Sequence, residues 1–238
     1  MAYPVYIFDL YGTLVDILTD ESPGPLWERE AALYTSFGAA YGADELRREY
    51  LRLCAKEQAG EADPLYEIEL RRVFEGLFLR KGREPGEKLT AFAAERFREY
   101  STLRLEIYPW VGPVFRRIRE AGSRIFLLSN AQACFTVPEL EKLGLARAFD
   151  AIRLSSDVGR RKPHPAIMRA LLEGAGADPA QCMMIGNDKS SDMAIAKAFG
   201  MRSLYIKTET SAEIEGAPEA DAELTDGDWP KLPALLGL

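Results

Sequence analysis

Histidine is all but missing from this chain: His164 is the only one in 238 residues. Serine and cysteine hydrolase mechanisms rest on an imidazole base. The single candidate for that role lies between Pro163 and Pro165, where a structural place near a helix start is expected. Cysteine is nearly as scarce. Cys54, Cys134 and Cys182 are odd in number and far apart, with no CxxC or Cys/His metal spacing. They read as reduced thiols in a reducing compartment rather than as a disulfide framework. Long apolar runs are absent too, and none approaches the roughly eighteen residues of a membrane span. The first residues pass almost directly into an apolar strand, without a basic n-region and long h-region, so the expected location is the cytoplasm. Basic charge is in deficit, with 30 Lys and Arg against 37 Asp and Glu and a net charge of −7. No basic stripe speaks for nucleic acid as a partner. Internal repeats and low-complexity segments are missing, and no signal of oligomeric state is present.

What remains is an ordinary soluble composition, 47% hydrophobic and 28% charged, long enough for one large domain or one domain carrying an insertion. Val5 to Phe8 is a short apolar run followed at once by Asp9, then by Gly12 and Thr13, which can turn the chain and offer N–H groups and a hydroxyl. Asp20 to Pro25 is rich in structure breakers. From Leu26 to about Tyr100 the apolar residues recur every three or four positions. That spacing predicts helices over 26–41, 44–58, 63–80 and 87–100, with arginines such as Arg47, Arg48, Arg71 and Arg72 on solvated faces.

After Tyr108-Pro-Trp-Val-Gly-Pro113 the style changes to alternating strands and helices. Strands are expected at 124–128, 149–154, 182–185 and 203–206, and near Leu224. Helices are expected at 113–121, 136–143, 165–174, 190–199 and 229–236. That alternation predicts a parallel sheet covered on both faces. The fold class is therefore α/β, with a Rossmann-like core formed by residues 1–16 and 106–238 and an all-helical insertion over 17–105.

Strand C-termini of such a sheet share one edge, and ligands bind there. The edge would gather Asp9, Ser129-Asn130, the loop before Lys162 and Gly186-Asn187-Asp188. Asp9 can serve as nucleophile, as metal ligand, or as both. Ser129, Asn130 and Thr13 offer groups for anionic oxygens, and Lys162 adds a positive charge. Asp9 with Asp188 would suit Mg²⁺, which takes few carboxylates and keeps waters. Asp192, one turn beyond Asp188, reads equally as a helix-start charge. Taken singly, Asp9 is a common turn residue and a Lys-Pro pair a common surface turn. The ordered set carries the signal.

In order and spacing, Asp9-Leu-Tyr-Gly-Thr-Leu14, Leu128-Ser-Asn130, Lys162-Pro-His-Pro165 and Ile185-Gly-Asn-Asp-Lys-Ser-Ser-Asp192 resemble the four motifs of the haloacid dehalogenase superfamily. The helical insertion between the first two resembles that superfamily's helical (C1-type) cap, so the likeness spans essentially the whole chain. The resemblance implies a hydrolase with an Asp nucleophile and, usually, Mg²⁺-dependent phosphoester hydrolysis of a small molecule. It implies Asp9 as nucleophile and metal ligand, Ser129 and Lys162 on the phosphoryl group, Asp188 as acidic metal ligand, and the Tyr11 carbonyl as a further ligand.

Position 11 departs from the phosphatase pattern. A second Asp, acting as general acid and then base, is usual there, and this chain has Tyr11. A phenol of ordinary pKa near 10 is a poor base at neutral pH. Asp-x-Tyr-Gly-Thr is similar instead to the dehalogenase branch, in which Asp9 would attack carbon, Asn130 would help hold halide and no metal would be needed. Gly186-Asn187-Asp188 is phosphatase-like, and two acids so placed repel unless a cation sits between them. A binding or regulatory protein on the same fold is a third reading. In the cap, Arg47, Arg48 and Arg52 are candidates to meet a substrate carboxylate.

Overall fold

The structure is a computed structural model that describes residues 2–212 and 215–238. Its first strand, β1 (Val5–Phe8), lies in the middle of a six-stranded, wholly parallel sheet. The others are β4 (Arg124–Ser129), β5 (Ala151–Leu154), β6 (Cys182–Gly186), β7 (Arg202–Ile206) and β8 (Ala222–Leu224), in the order β5-β4-β1-β6-β7-β8. All four residues of β1 are buried because both faces of the strand are covered. Tyr6 and Phe8 pack into one cluster with Val111, Val114 and Ile118 of α5 (Val111–Glu120). Val5 and Ile7 point the other way, onto Ile167, Met168 and Leu171 of α8 (Pro165–Ala175). The two-residue alternation of a strand thus feeds two cores. Order reverses at β1: the chain builds outward through β4 and β5, then crosses to β6 on the other side. That is a topological switch point, where open α/β sheets form their crevice.

Between β1 and β4 lies what the helical spacing foretold, with corrections. Four helices, α1 (Gly24–Ser36), α2 (Ala43–Gln58), α3 (Leu70–Leu79) and α4 (Gly86–Ser101), bury a core of their own around Trp27, Tyr34, Tyr50, Phe74 and Phe97. The helix expected over 63–80 begins only at Leu70. Asp63 accepts the Leu65 N–H in a turn, and Glu67 N–H donates to the Gly159 carbonyl, so 63–69 is a loop laid against the sheet edge. The helix expected over 26–41 ends at Ser36, ahead of Gly38 at positive φ. An antiparallel ribbon, β2 (Val15–Thr19) with β3 (Thr102–Ile107), joins the helices to the sheet and was not foreseen.

The remaining elements are α6 (Ala133–Lys142), the short α7 (Ser155–Val158), α9 (Ala194–Ala198) and α10 (Leu232–Leu235). The helix expected over 190–199 is divided into a π turn, Lys189–Met193, and α9. Among the described residues no helix is long and apolar enough to cross a membrane. All three cysteines are free, as expected.

Candidate active site

The strand ends do converge. Asp9 follows β1, and its N–H donates to the Ile185 carbonyl at 2.9 Å, which ties it to the end of β6. Its carboxylate is the hub. Lys162 Nζ donates to Asp9 Oδ1 at 2.6 Å, to Asp192 Oδ1 at 2.7 Å and to the Leu128 carbonyl at 2.8 Å. An ammonium has three donors, so this one is fully satisfied, at 3% exposure. Burial pulls the lysine pKa down, but Asp192 and Asp9 outweigh it and hold the side chain charged. Ser129 Oγ donates to Asp9 Oδ1 at 3.1 Å. The Thr13 hydroxyl lies 3.2 Å from Asp9 Oδ2 and 3.2 Å from Asn187 Oδ1.

Two glycines make this approach possible. Gly12 has φ of 79°, and a Cβ there would meet Asn187 Nδ2 at 2.3 Å and Thr210 Oγ1 at 2.2 Å. A Cβ on Gly186 would sit 2.1 Å from Asp192 Oδ2. Asp192 is pushed up by burial against the pull of Lys162. Its other oxygen accepts the Asp188 N–H at 3.1 Å. Asp192 therefore holds Lys162 and the Asp188 loop together, and the π turn is what aims it inward.

Asp188 caps that turn. Its Oδ1 accepts Ser190 N–H at 2.8 Å, Ser190 Oγ at 2.6 Å and Ser191 N–H at 3.3 Å. Burial raises its pKa, but these hydrogen bonds prevail and hold it below the ordinary value. Asn130, expected to face substrate, has both ends of its amide on the Lys162 backbone: Oδ1 accepts Lys162 N–H at 2.6 Å and Nδ2 donates to Lys162 O at 3.2 Å. It fixes the lysine loop. His164 caps α8, with Nδ1 accepting the Ala166 N–H at 3.1 Å, which is the structural place expected of it.

Asp9, Tyr11, Ser129, Asn130, Lys162, Asn187, Asp188, Ser191 and Asp192 line one cavity of about 130 Å³. Three carboxylates against one ammonium leave it with a formal charge of −2. Among the described residues no three His, Cys, Asp or Glu side chains form a metal-binding group by themselves. Two acids and a carbonyl could hold a cation there. Asp188 Oδ2 and the Tyr11 carbonyl accept no hydrogen bond among the described residues, and Asp9 Oδ2 faces only the Thr13 hydroxyl. Such a sparse oxygen set fits Mg²⁺, which keeps waters and takes few carboxylates.

The Tyr11 hydroxyl turns away from this cavity. It donates to Glu139 Oε2 and lies 3.0 Å from Thr136 Oγ1, both on α6. Burial, reinforced by Glu139, raises its pKa, so the phenol stays protonated. Arg98 of α4 donates to Glu139 Oε1 at 2.6 Å and sits over the Tyr11 ring, 5.7 Å from its centroid. A second cavity, of about 310 Å³, opens beside the first across Tyr11 and Asn130. Glu67, Ile68, Leu70, Arg98, Gln132 and Phe135 are among its walls. None of these was singled out from the sequence. Arg47, Arg48 and Arg52 are exposed on α2 and line neither cavity, with Arg52 paired to Glu49 at 2.6 Å.

The chain is 27% identical over 199 residues to the glyceraldehyde 3-phosphate phosphatase of Methanopyrus kandleri, covering 77% of this chain and 84% of that protein. It is 27% identical over 198 residues to phosphoglycolate phosphatase 1 of Pseudomonas aeruginosa, covering 82% of this chain and 66% of that protein. Among solved structures, the 2-haloacid dehalogenase of Pseudomonas syringae pv. Tomato DC3000 superposes with a TM-score of 0.65 at 21% identity, over 99% of this chain and 98% of that one. At that identity the likeness speaks to the fold. The order of strands, the four loops on one edge and a match of residues 3–200 to the model of the family agree: this chain belongs to the haloacid dehalogenase-like hydrolases.

Proposed function

We propose that this hydrolase is a Mg²⁺-dependent phosphatase of a small phosphorylated metabolite, acting through a covalent intermediate on Asp9. The observation that carries the reading is the charge of the small cavity: Asp9, Asp188 and Asp192 face a single ammonium, and Asp188 keeps an oxygen open. A dehalogenase that works without metal has no use for that excess. The phosphatase names of the two relatives point the same way.

Asp9 would attack phosphorus, and the ester P–O bond would break. Lys162 and Ser129 orient the attacking carboxylate and offset charge on the phosphoryl oxygens. Bound at Asp9, Asp188 and the Tyr11 carbonyl, Mg²⁺ would supply charge neutralisation as a Lewis acid. Tyr11 lends no acid or base, since its hydroxyl is engaged on α6. The leaving oxygen takes its proton from water, and the acyl phosphate is hydrolysed without an internal base. Residues 17–105 serve in this reading as a cap over the core formed by 1–16 and 106–238, and the free thiols suit the cytoplasm.

Phosphate release from 4-nitrophenyl phosphate is expected with Mg²⁺, its loss with EDTA, and a loss of at least ~1000-fold in Asp9→Asn. Release that ignores EDTA would sink the metal role. One observation favours a second reading. Tyr11 stands where the leaving-group acid is expected, as in 2-haloacid dehalogenases, and halide release from 2-chloropropionate without metal tests it.

A further inference from the structure

The 310 Å³ cavity adjoins the phosphoryl site, so it is where the alcohol part of a phosphate ester would lie. Its electrostatics are unusual for a family with relatives named for acidic substrates. Among the described residues Arg98 is the one cationic side chain on its wall, and Glu139 offsets its charge. Its Nε donates to Glu139 at 2.6 Å, and the pair is almost wholly buried, with side chains 15% and 8% exposed. Glu139 is itself held in place by the Tyr11 hydroxyl. Glu67 also lines the cavity. Gln132 Nε2 donates to its Oε1 at 3.0 Å and Ser155 Oγ to its Oε2 at 2.8 Å. Each carboxylate oxygen keeps a lone pair free. The Gln132 amide has no spare donor, because its two N–H groups serve Glu67 and the Ile68 carbonyl. Asn130 gives one of its two amide N–H groups to the Lys162 carbonyl and keeps the other. Glu67 therefore offers acceptors to the cavity, and the charge of Glu67, Arg98 and Glu139 together is −1.

We infer that the cavity is an electrostatic filter: it takes phosphate esters of uncharged, hydroxyl-bearing alcohols and rejects those whose alcohol carries a carboxylate. Substrate hydroxyls donate to Glu67, and Ile68, Leu70 and Phe135 cover the carbon chain. A carboxylate would meet the charge of Glu67, while the charge of Arg98 is already offset by Glu139. This rests on the phosphatase reading and narrows it to one class of ester.

Glycerol 3-phosphate and 3-phosphoglycerate test it, because they are nearly the same size and differ at one end in CH₂OH against COO⁻. With Mg²⁺, the ratio of their kcat/KM values is expected to favour the glycerol ester by at least ~10-fold, the effect of one like charge within about 6 Å in a partly screened site. Glu139→Gln keeps the shape and frees Arg98, so the ratio shifts toward the carboxylate by ~10-fold. Glu67→Gln shifts it the same way. Glu139→Gln combined with Arg98→Gln returns the ratio toward the parent value, which a general loss of packing cannot do. Taking a ratio cancels damage common to both substrates. Equal or better use of 3-phosphoglycerate by the parent overturns the inference, and so does a ratio that Glu139→Gln leaves unmoved. Hydrolysis of 4-nitrophenyl phosphate separates the two levels. If it proceeds without discrimination, only the filter fails. If no ester releases phosphate, the phosphatase reading falls and the filter with it.

Discussion

Tyr11 is the residue on which the chemistry turns. A short acid in its place would leave α6 and face the cavity that holds Asp9, because it lacks the reach to Glu139. Tyr11→Asp is expected to speed hydrolysis of the Asp9 acyl phosphate by ~100-fold, the lower end of what a positioned base contributes. Single-turnover decay of the phosphorylated enzyme measures that step directly. A decay rate equal to or below the parent's would show that the internal base is not what limits this protein. The same substitution strips the phenol from Glu139 and costs some stability, so thermal melting has to accompany the kinetics. Asp9, Ser129 and Asp188 were legible in the sequence because each ends or closely follows an apolar run and parallel strands end on one edge, whereas Lys162, well past β5, was marked by its place in the ordered set of motifs. Glu139, Arg98 and Glu67 were not. Arg98 and Glu139 lie 41 positions apart on different helices, and nothing in the periodicity of either helix says which arginine turns toward the core.

Elements were legible where a burial pattern is local. The strands β1 and β6 and the middle of β4 are apolar throughout, and α5 and α8 show one clear stripe. The β2–β3 ribbon was missed because its partner strands are separated by all four helices, so no hairpin turn marks it, and Leu18 and Leu103 are exposed. Helix α1 hides a different surprise. Leu26, Trp27, Ala31 and Tyr34 form its buried stripe, and Glu30 sits in the same stripe at 1% exposure. Neither of its oxygens has a hydrogen-bond partner among the described residues. Burial pushes its pKa up to about 8 from an ordinary 4.5, with Arg96 only partly opposing. In the folded chain this acid stays protonated up to that pH, whereas in the unfolded chain it ionises near 4.5. The folded state thus binds the extra proton between about pH 4.5 and 8, and stability falls as pH rises through that window. Glu30→Gln removes the penalty. Its stability advantage over the parent, read from thermal melts across pH, is expected to be near zero below pH 4.5, to grow up to about pH 8 and then to level off, at about a few kcal/mol. An advantage that is flat with pH would mean that Glu30 is ionised in place.

At the scale of the whole molecule, binding and stability meet at the switch point of the sheet. The −2 cavity lies on the ends of β1, β4 and β6 and on the segments that follow β1, β4, β5 and β6, so it draws on both halves of the sheet and on the loop after β7 through Thr210. Repulsion among Asp9, Asp188 and Asp192 is a cost borne by the folded state alone, because unfolding separates these acids. A cation that binds only the folded arrangement relieves it and adds RT ln(1 + [L]/Kd), about 2.7 kcal/mol at a hundredfold excess over Kd. For a chain of this size that is roughly 5–10 °C in Tm. Mg²⁺ is expected to raise Tm on this scale, and EDTA to reverse the shift. Adding beryllium fluoride, which mimics a phosphoryl group on an aspartate, raises it further by joining Asp9, Lys162, Ser129 and the cation in one network. The two increments have different owners. Asp188→Asn loses most of the Mg²⁺ shift, and Asp9→Asn loses the whole of the beryllium fluoride increment, because an amide cannot take the group. A parent protein whose Tm ignores both ligands would leave the acidic cavity as a structural charge cluster and return the fold to a binding role. A fluoride increment that survives Asp9→Asn would move the nucleophile elsewhere.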